Sequence, residues 1–361
     1  MESYFYLLLF IYFTYFILKI SLRNVNKLNS CFLLLSFVAI YFFCTLRDYS
    51  VGRDIPGYMD TYDISGFYPL MDNSWTHMEV GYVTFMQLCS LAGFSTRTFF
   101  FIVYFLILFP IYYTFRKYSL NPLLSIIIFV CFQFLTFDLS GIRQGLAASI
   151  CMMGLAFVGM KGLKNSVAFA LLLALAVSVH RSSIIFALTP LVMRLHINIY
   201  TICVFLFMFA VAPSLTGFVM SVNAEEGLSK YTYDDRLAMG GMIVFLFLIL
   251  IFVFYTCIAK EYGKRLSIDD TISIKQFFFL LATGTFFTLA FNGTMLSRST
   301  MCYCLIIAFA IPNAINSYNR SLQMVLNVSF HLIFVFFFYL FCLLPKALDT
   351  VPYKLGTDLP F

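Results

Sequence analysis

Residues 98–137 read TFFFIVYFLILFPIYYTFRKYSLNPLLSIIIFVCFQFLTF, and this stretch decides the fold. Two apolar runs, 98–115 and 121–137, flank a short break that carries Arg116 and Lys117. Each run is close to the length needed to cross about 30 Å of hydrocarbon as an α-helix rising 1.5 Å per residue. Working outward, the same pattern recurs near 3–20, 30–46, 142–160, 165–180, 182–194, 197–220, 239–258, 274–292, 296–315 and 322–344. The chain has 61% hydrophobic residues, 11% charged residues and a mean hydropathy of +0.91 over 361 residues, more apolar surface than a water-soluble core can hide. A transmembrane β-barrel would show segments of about ten residues with alternating polarity, and none is evident. The sequence therefore predicts an all-α polytopic membrane protein with about twelve transmembrane helices.

Glu79 to Gly93 is too short and too polar for a span, with Glu79, Thr84, Gln87 and Ser90. It reads as an amphipathic or re-entrant helix over 79–93. The first run follows Met1-Glu2, and its basic residues Lys19, Arg23 and Lys27 come after it, as in a retained span. The ten cysteines form no CxxC pair, so neither a disulfide framework nor a zinc site is indicated. No fixed-period repeat or linker divides residues 1–361, which read as a single transmembrane domain with external loops at 47–78 and 221–237.

If 79–93 does not span, both termini share a side with the loop 47–78. The opposite side then carries thirteen basic residues and three acidic ones, while the first side holds the remaining ten of 23 basic and fourteen of 17 acidic residues. The positive-inside rule puts the basic-rich side in the cytoplasm and both termini outside. The net charge of +6 is spread as ones and twos between apolar runs, so it sets topology and gives no reason to expect nucleic acid as a partner.

That assignment leaves Arg47, Arg53, Asp54, Arg143, His180, Arg181 and Arg298 on the external side, where the sign bias gives no reason for the arginines to be. Arg143 lies in GIRQGLAASI, His180-Arg181 in VSVHRSSIIF and Arg298 in SRSTMCY, each at a helix end. Each arginine either snorkels to the interface or grips an anion. Three guanidinium groups from three helices suit a diphosphate, because they are permanently charged and offer forked donors. The pair Gly141 and Gly145 also reads as a close helix-packing motif. The loop CTLRDYSVGRDIPGYMDTYD combines Arg47, Arg53 and Asp54 with Tyr58 and Tyr62, either a solvated interfacial loop or a sugar-binding one. Glu79 complements a helix dipole or acts as a base on an acceptor hydroxyl. No P-loop, GxGxxG or HExxH is present, so nucleotide-driven or zinc chemistry is not indicated.

In their order and spacing, VGRDIPGYMDTY, EVGYVTF, GIRQGLAASI, HRSSIIF, SRSTMCY and a closing VPYK resemble the EpsG-like family of bacterial polysaccharide polymerases, which includes Wzy-type O-antigen polymerases. The resemblance implies a GT-C-like helical glycosyltransferase of the bacterial inner membrane, active on its periplasmic face. Its donor and acceptor would both be undecaprenyl-diphosphate-linked oligosaccharides, and the growing glycan would pass to the non-reducing end of a fresh unit. Neither a metal nor another cofactor is called for, because the donor already carries an activated glycosyl diphosphate. Arg143, Arg181 and Arg298 would stabilise the leaving diphosphate, and Asp54 or Glu79 would orient or deprotonate the acceptor. Arg47, Arg53, Tyr58, Tyr62, His180 and Tyr353 would position substrate. Further partners implied are membrane lipid, a chain-length regulator and a flippase of the same pathway. A lipid-linked glycan transporter and an O-antigen ligase are the alternatives.

Overall fold

The computed structural model describes residues 1–158, 162–222, 233–261, 272–291 and 300–356. Among these residues there are helices and no strand, apart from one isolated antiparallel bridge between Arg47 and Leu355. The all-α membrane class is as the sequence predicts.

Short polar breaks become helix caps. The helix α1 (Glu2–Ser21) is followed within four residues by α2 (Val25–Thr45), whose first amides donate to the Asn24 side chain. The helices α3 (Ile55–Ser65) and α4 (Val80–Leu91) come next, then α5 (Thr96–Tyr118), capped by Ser95. Asn121 and the following proline open α6 (Pro122–Cys131). After α7 (Phe134–Ser140), α8 (Ile142–Val158) and α9 (Leu163–Val179), the chain runs through a 3-10 stretch, Arg181–Leu188, into α10 (Thr189–Val192). The rest comprises α11 (Ile199–Val222), α12 (Tyr233–Glu261), α13 (Ile274–Ala290), α14 (Met301–Cys304), α15 (Ile307–Asn316) and α16 (Arg320–Phe338).

Among the described residues, five helices are long and apolar enough to cross a membrane: α1, α2, α5, the 240–259 part of α12, and 320–343. A sixth joins them if the bent pair of α6 and α7 counts as one span. Further apolar helices among the described residues are shorter, such as Ile142–Val158, Leu163–Val179 and Ile274–Ala290, and several predicted runs are interrupted. Gln133 takes φ 61°, in the left-handed region, and the run 121–137 bends there by 49°. The run 182–194 is mostly 3-10, and 296–315 breaks between Cys304 and Ile307. The segment 47–78 is not all loop, since it contains α3. The second loop, 221–237, lies largely outside the described residues.

The helix expected over 79–93 forms as α4 and does not traverse. Near its start, Glu79 meets His180, and just past its end Phe94 accepts a hydrogen bond from Tyr62 of α3, so α3 and α4 lie together at one end of the bundle. Gly81 allows this, because a Cβ there would strike the Ser178 backbone of α9.

The same end gathers both termini of the described chain. The amides of Asp48, Gly52, Arg53 and Gly356 donate to the carbonyls of Lys354, Asp349, Leu348 and Leu46, and the Tyr4 hydroxyl donates to Thr350 O. The core between helices is aromatic: Phe115 meets Phe37, Phe129 and Phe309 edge-to-face at centroid distances of 5.5, 6.0 and 4.9 Å. Buried threonines at 114, 283, 285 and 288 return their hydroxyls to the carbonyl four residues earlier, so none of these donors is stranded in the apolar interior. Outward-facing residues such as Phe13, Phe16, Leu171 and Leu332 are exposed and apolar, as lipid contact requires.

Candidate functional site

Four local features converge at the shared end. Arg53 and Asp54 lead into α3, Glu79 immediately precedes α4, Arg143 sits in the first turn of α8, and His180 leaves α9 in an extended conformation at φ −154°. Each of these side chains is therefore at a helix end, and those of Arg53, Asp54 and Arg143 line one cavity.

Glu79 ties three of these features together. Its Oε2 accepts from Arg143 Nη1 at 2.7 Å, and its Oε1 accepts from the Arg181 backbone amide at 3.0 Å and lies 3.1 Å from His180 Nδ1. Burial by itself raises the Glu79 pKa. The His180 hydrogen bond, the Arg143 charge and the Arg181 amide outweigh it and bring the carboxyl down to about 2.

Beside this knot lies a cavity of about 670 Å³, within the usual range of small-ligand sites. Arg53, Asp54, Tyr58 and Thr61 line one wall, Thr76 and His77 another, and Arg143 and Gln144 a third. Ser140 of α7 steadies Asp54: its hydroxyl donates to Asp54 Oδ2 and accepts from the Asp54 amide, both at 3.4 Å. Arg53 Nε donates to Asp349 Oδ2 at 2.8 Å, joining the wall to the C-terminal tail. Arg143 Nε and Gln144 Oε1 are buried and make no hydrogen bond among the described residues. A guanidinium held on a cavity wall suits an incoming anion.

The sequence-derived candidates divide accordingly. Arg53, Asp54, Tyr58 and Arg143 line the cavity, and Glu79 and His180 support Arg143 from behind. Arg181 contributes its amide to Glu79 and its side chain is exposed. Arg298 lies outside the described residues. Three candidates serve the scaffold instead of the cavity. Arg47 is 0% exposed; its Nη2 donates to the Tyr104 hydroxyl at 2.7 Å, which donates on to Asp138 O. Tyr62 stacks on Phe99 at 4.3 Å, and Tyr353 stacks on Phe43 at 4.2 Å while its hydroxyl donates to Phe43 O. Arg47 and Tyr62 are buried and Tyr353 is half-buried, each with its side chain engaged in packing instead of lining the cavity. The Gly145 half of the helix-packing pair instead makes room for the Asp138 carboxylate of α7.

Thr61, Thr76, His77 and Gln144 also line the cavity. Of these, Gln144 carried a signal in the sequence, its adjacency to Arg143. Arg97 is a further scaffold arginine, donating from Nη1 to the carbonyls of Thr45 and Arg47 at 3.0 and 2.8 Å. Among the described residues no group of three His, Cys, Asp or Glu stands where it would hold a metal ion.

No curated protein and no solved structure matches the chain. The model of the EpsG family matches residues 32–355, from the first turns of α2 to the tail that bonds back to Arg47. That match spans every wall of the cavity and most of the chain, and the protein belongs to the EpsG family.

Proposed function

We propose that this protein is a polysaccharide polymerase of the bacterial inner membrane that joins undecaprenyl-diphosphate-linked repeat units at the cavity beside Arg143. Membership of the EpsG family supports a glycosyltransferase-like polymerase. The observation that carries the site assignment is Arg143 itself: its side chain lines the cavity and is held there by Glu79, whose Oε2 accepts from Nη1 at 2.7 Å.

In this reading an acceptor hydroxyl attacks the anomeric carbon of the donor glycan. A new glycosidic bond forms, the bond from that carbon to the phosphate oxygen breaks, and undecaprenyl diphosphate leaves with the electron pair. Arg143, preorganised by Glu79, meets the charge that develops on the leaving oxygen. Arg53, Arg181 and Arg298 supply further positive charge to the diphosphate. Asp54 takes the hydroxyl proton, with His77 across the same cavity as the other acceptor within reach. Glu79, held at about 2 by its partners, is too weak a base for that step near neutral pH and acts as a positioning residue. Tyr58 offers the cavity an aromatic edge for a sugar face. No metal is needed.

The same reading takes the chain as one GT-C-like transmembrane unit of about twelve passes with both termini periplasmic. A flippase of the pathway would deliver its substrate, and a chain-length regulator would set how long the product grows. The test is to express the chain in a strain lacking its own polymerase and display the surface glycan on a gel. A ladder of repeat units supports the proposal. A single unlengthened unit, at normal membrane levels of the protein and with its cognate repeat unit supplied, contradicts it.

A further inference from the structure

A second cavity lies away from the Arg143 site. From His180 at the site, the 3-10 stretch and α10 carry the chain through to Met193, whose carbonyl accepts from Gln276 Nε2 at 3.4 Å at the start of α13. Beside this junction α11, α12 and α13 enclose a cleft of about 290 Å³. Its walls are aliphatic and aromatic, with Phe205 and Phe209 on α11, Phe247 and Phe254 on α12, and Phe278 and Phe279 on α13. Thr201 also lines it, but its hydroxyl turns back to His196 O at 2.7 Å.

Among the described residues, two cations stand next in sequence to residues at one end of the cleft. Lys275 precedes Phe278 and Phe279 by three and four residues, so it stands on the same face of α13, one turn nearer the helix start. Arg194 comes three residues before Ile197, which lines the cleft, and its side chain is exposed. The Gln276 contact to Met193 brings these two cations to the same junction. Among the described residues neither forms an ion pair with a carboxylate. A concave apolar wall ending in two cations has the chemistry of an amphiphile with a hydrocarbon tail and a phosphate head.

We infer that this cleft binds one acyl chain of an anionic glycerophospholipid, whose phosphate is held by Arg194 and Lys275. A zwitterionic lipid carries its own cation and gains less from this pair. The bound chain bridges α11, α12 and α13 and completes their packing. The inference stands apart from the polymerase reading, since no residue of the Arg143 cavity takes part.

The test uses the full chain purified in detergent and incubated with dioleoylphosphatidylglycerol or dioleoylphosphatidylcholine, with retained lipid counted by native mass spectrometry. Wild type retains the phosphatidylglycerol in preference by about tenfold, consistent with two cations near a lipid phosphate. The double variant Arg194→Gln/Lys275→Gln loses that preference. Ile251→Trp, which fills the cleft from an exposed position, lowers retention of both lipids. Arg194→Gln alone is the milder variant, with a preference reduced to about threefold. Equal retention of the two lipids by wild type, an undiminished preference in the glutamine variants, or unaltered retention by Ile251→Trp would overturn the inference.

Discussion

At Glu79 one carboxylate accepts from a guanidinium and a backbone amide and stands 3.1 Å from an imidazole, joining residues 64 and 102 positions away in the chain. Its folded pKa of about 2 lies below the ordinary 4.5, so it contributes stability that is complete above pH 4.5 and is lost as pH falls through about 2. Thermal unfolding of the purified protein in detergent across pH 2–6 measures this, and Glu79→Gln flattens the profile in that window. Replacing Glu79 by Ala leaves Arg143 without its partner in a largely buried setting and costs about 3 kcal/mol of stability. Arg143→Lys lowers polymer formation by at least about tenfold, because an ammonium on a flexible stem cannot offer Glu79 and the cavity the two fixed nitrogens of a planar guanidinium. A glycan ladder at matched membrane levels reads that loss. At this scale the sequence marked Arg143 and Arg53, because the sign bias gives arginines no reason to stand at external helix ends, and Asp54, Glu79 and His180 as ionisable groups at the same ends. It could not separate Arg53 from Arg47, six residues earlier in the same loop. What separates them is depth: Arg47 is sealed under Phe100 and Tyr104, and no neighbour in sequence announces it.

At the scale of elements, the loop before α3 is seated on the end of α7. Gly52 has φ 104°, and a Cβ there would collide with the Leu139 carbonyl. Gly52→Ala therefore destabilises the protein by roughly 1–3 kcal/mol and displaces Arg53 and Asp54, lowering polymer yield, as thermal unfolding and a glycan ladder would record together. The short helix α4 leads to a second expectation. With the native cysteines removed, Phe67→Cys and Phe94→Cys react with a membrane-impermeant maleimide from the same side, since α4 begins and ends at one end of the bundle. Labelling from opposite sides would make α4 a span and reverse the orientation of every later helix. The helix was legible because its length and polar residues disqualified it as a span. The bend between α6 and α7 was not, because it rests on the backbone angle of Gln133, a residue type that is ordinary inside a helix.

Across the whole molecule, hydropathy placed the apolar runs within a few residues of the helices that form, since the cost of exposing backbone polar groups to lipid leaves few alternatives. The gathering of the termini, the loop 47–53 and the helix ends at 79, 143 and 180 follows from the odd or even number of crossings between them. The cavity does not, because Thr61, Thr76 and His77 face it only once α3 and the turn before α4 are folded against α8. The central claim is that glycosyl transfer occurs at that cavity with Arg143 stabilising the departing diphosphate. Its most direct measurement is undecaprenyl diphosphate released by the purified chain in liposomes, supplied with its lipid-linked repeat unit, for wild type and Arg143→Ala. The account predicts release stoichiometric with new glycosidic bonds in wild type and a fall of about 10²–10³-fold in the variant, the cost of removing one preorganised charge donor. Release at the wild-type rate from a correctly folded Arg143→Ala protein would contradict it.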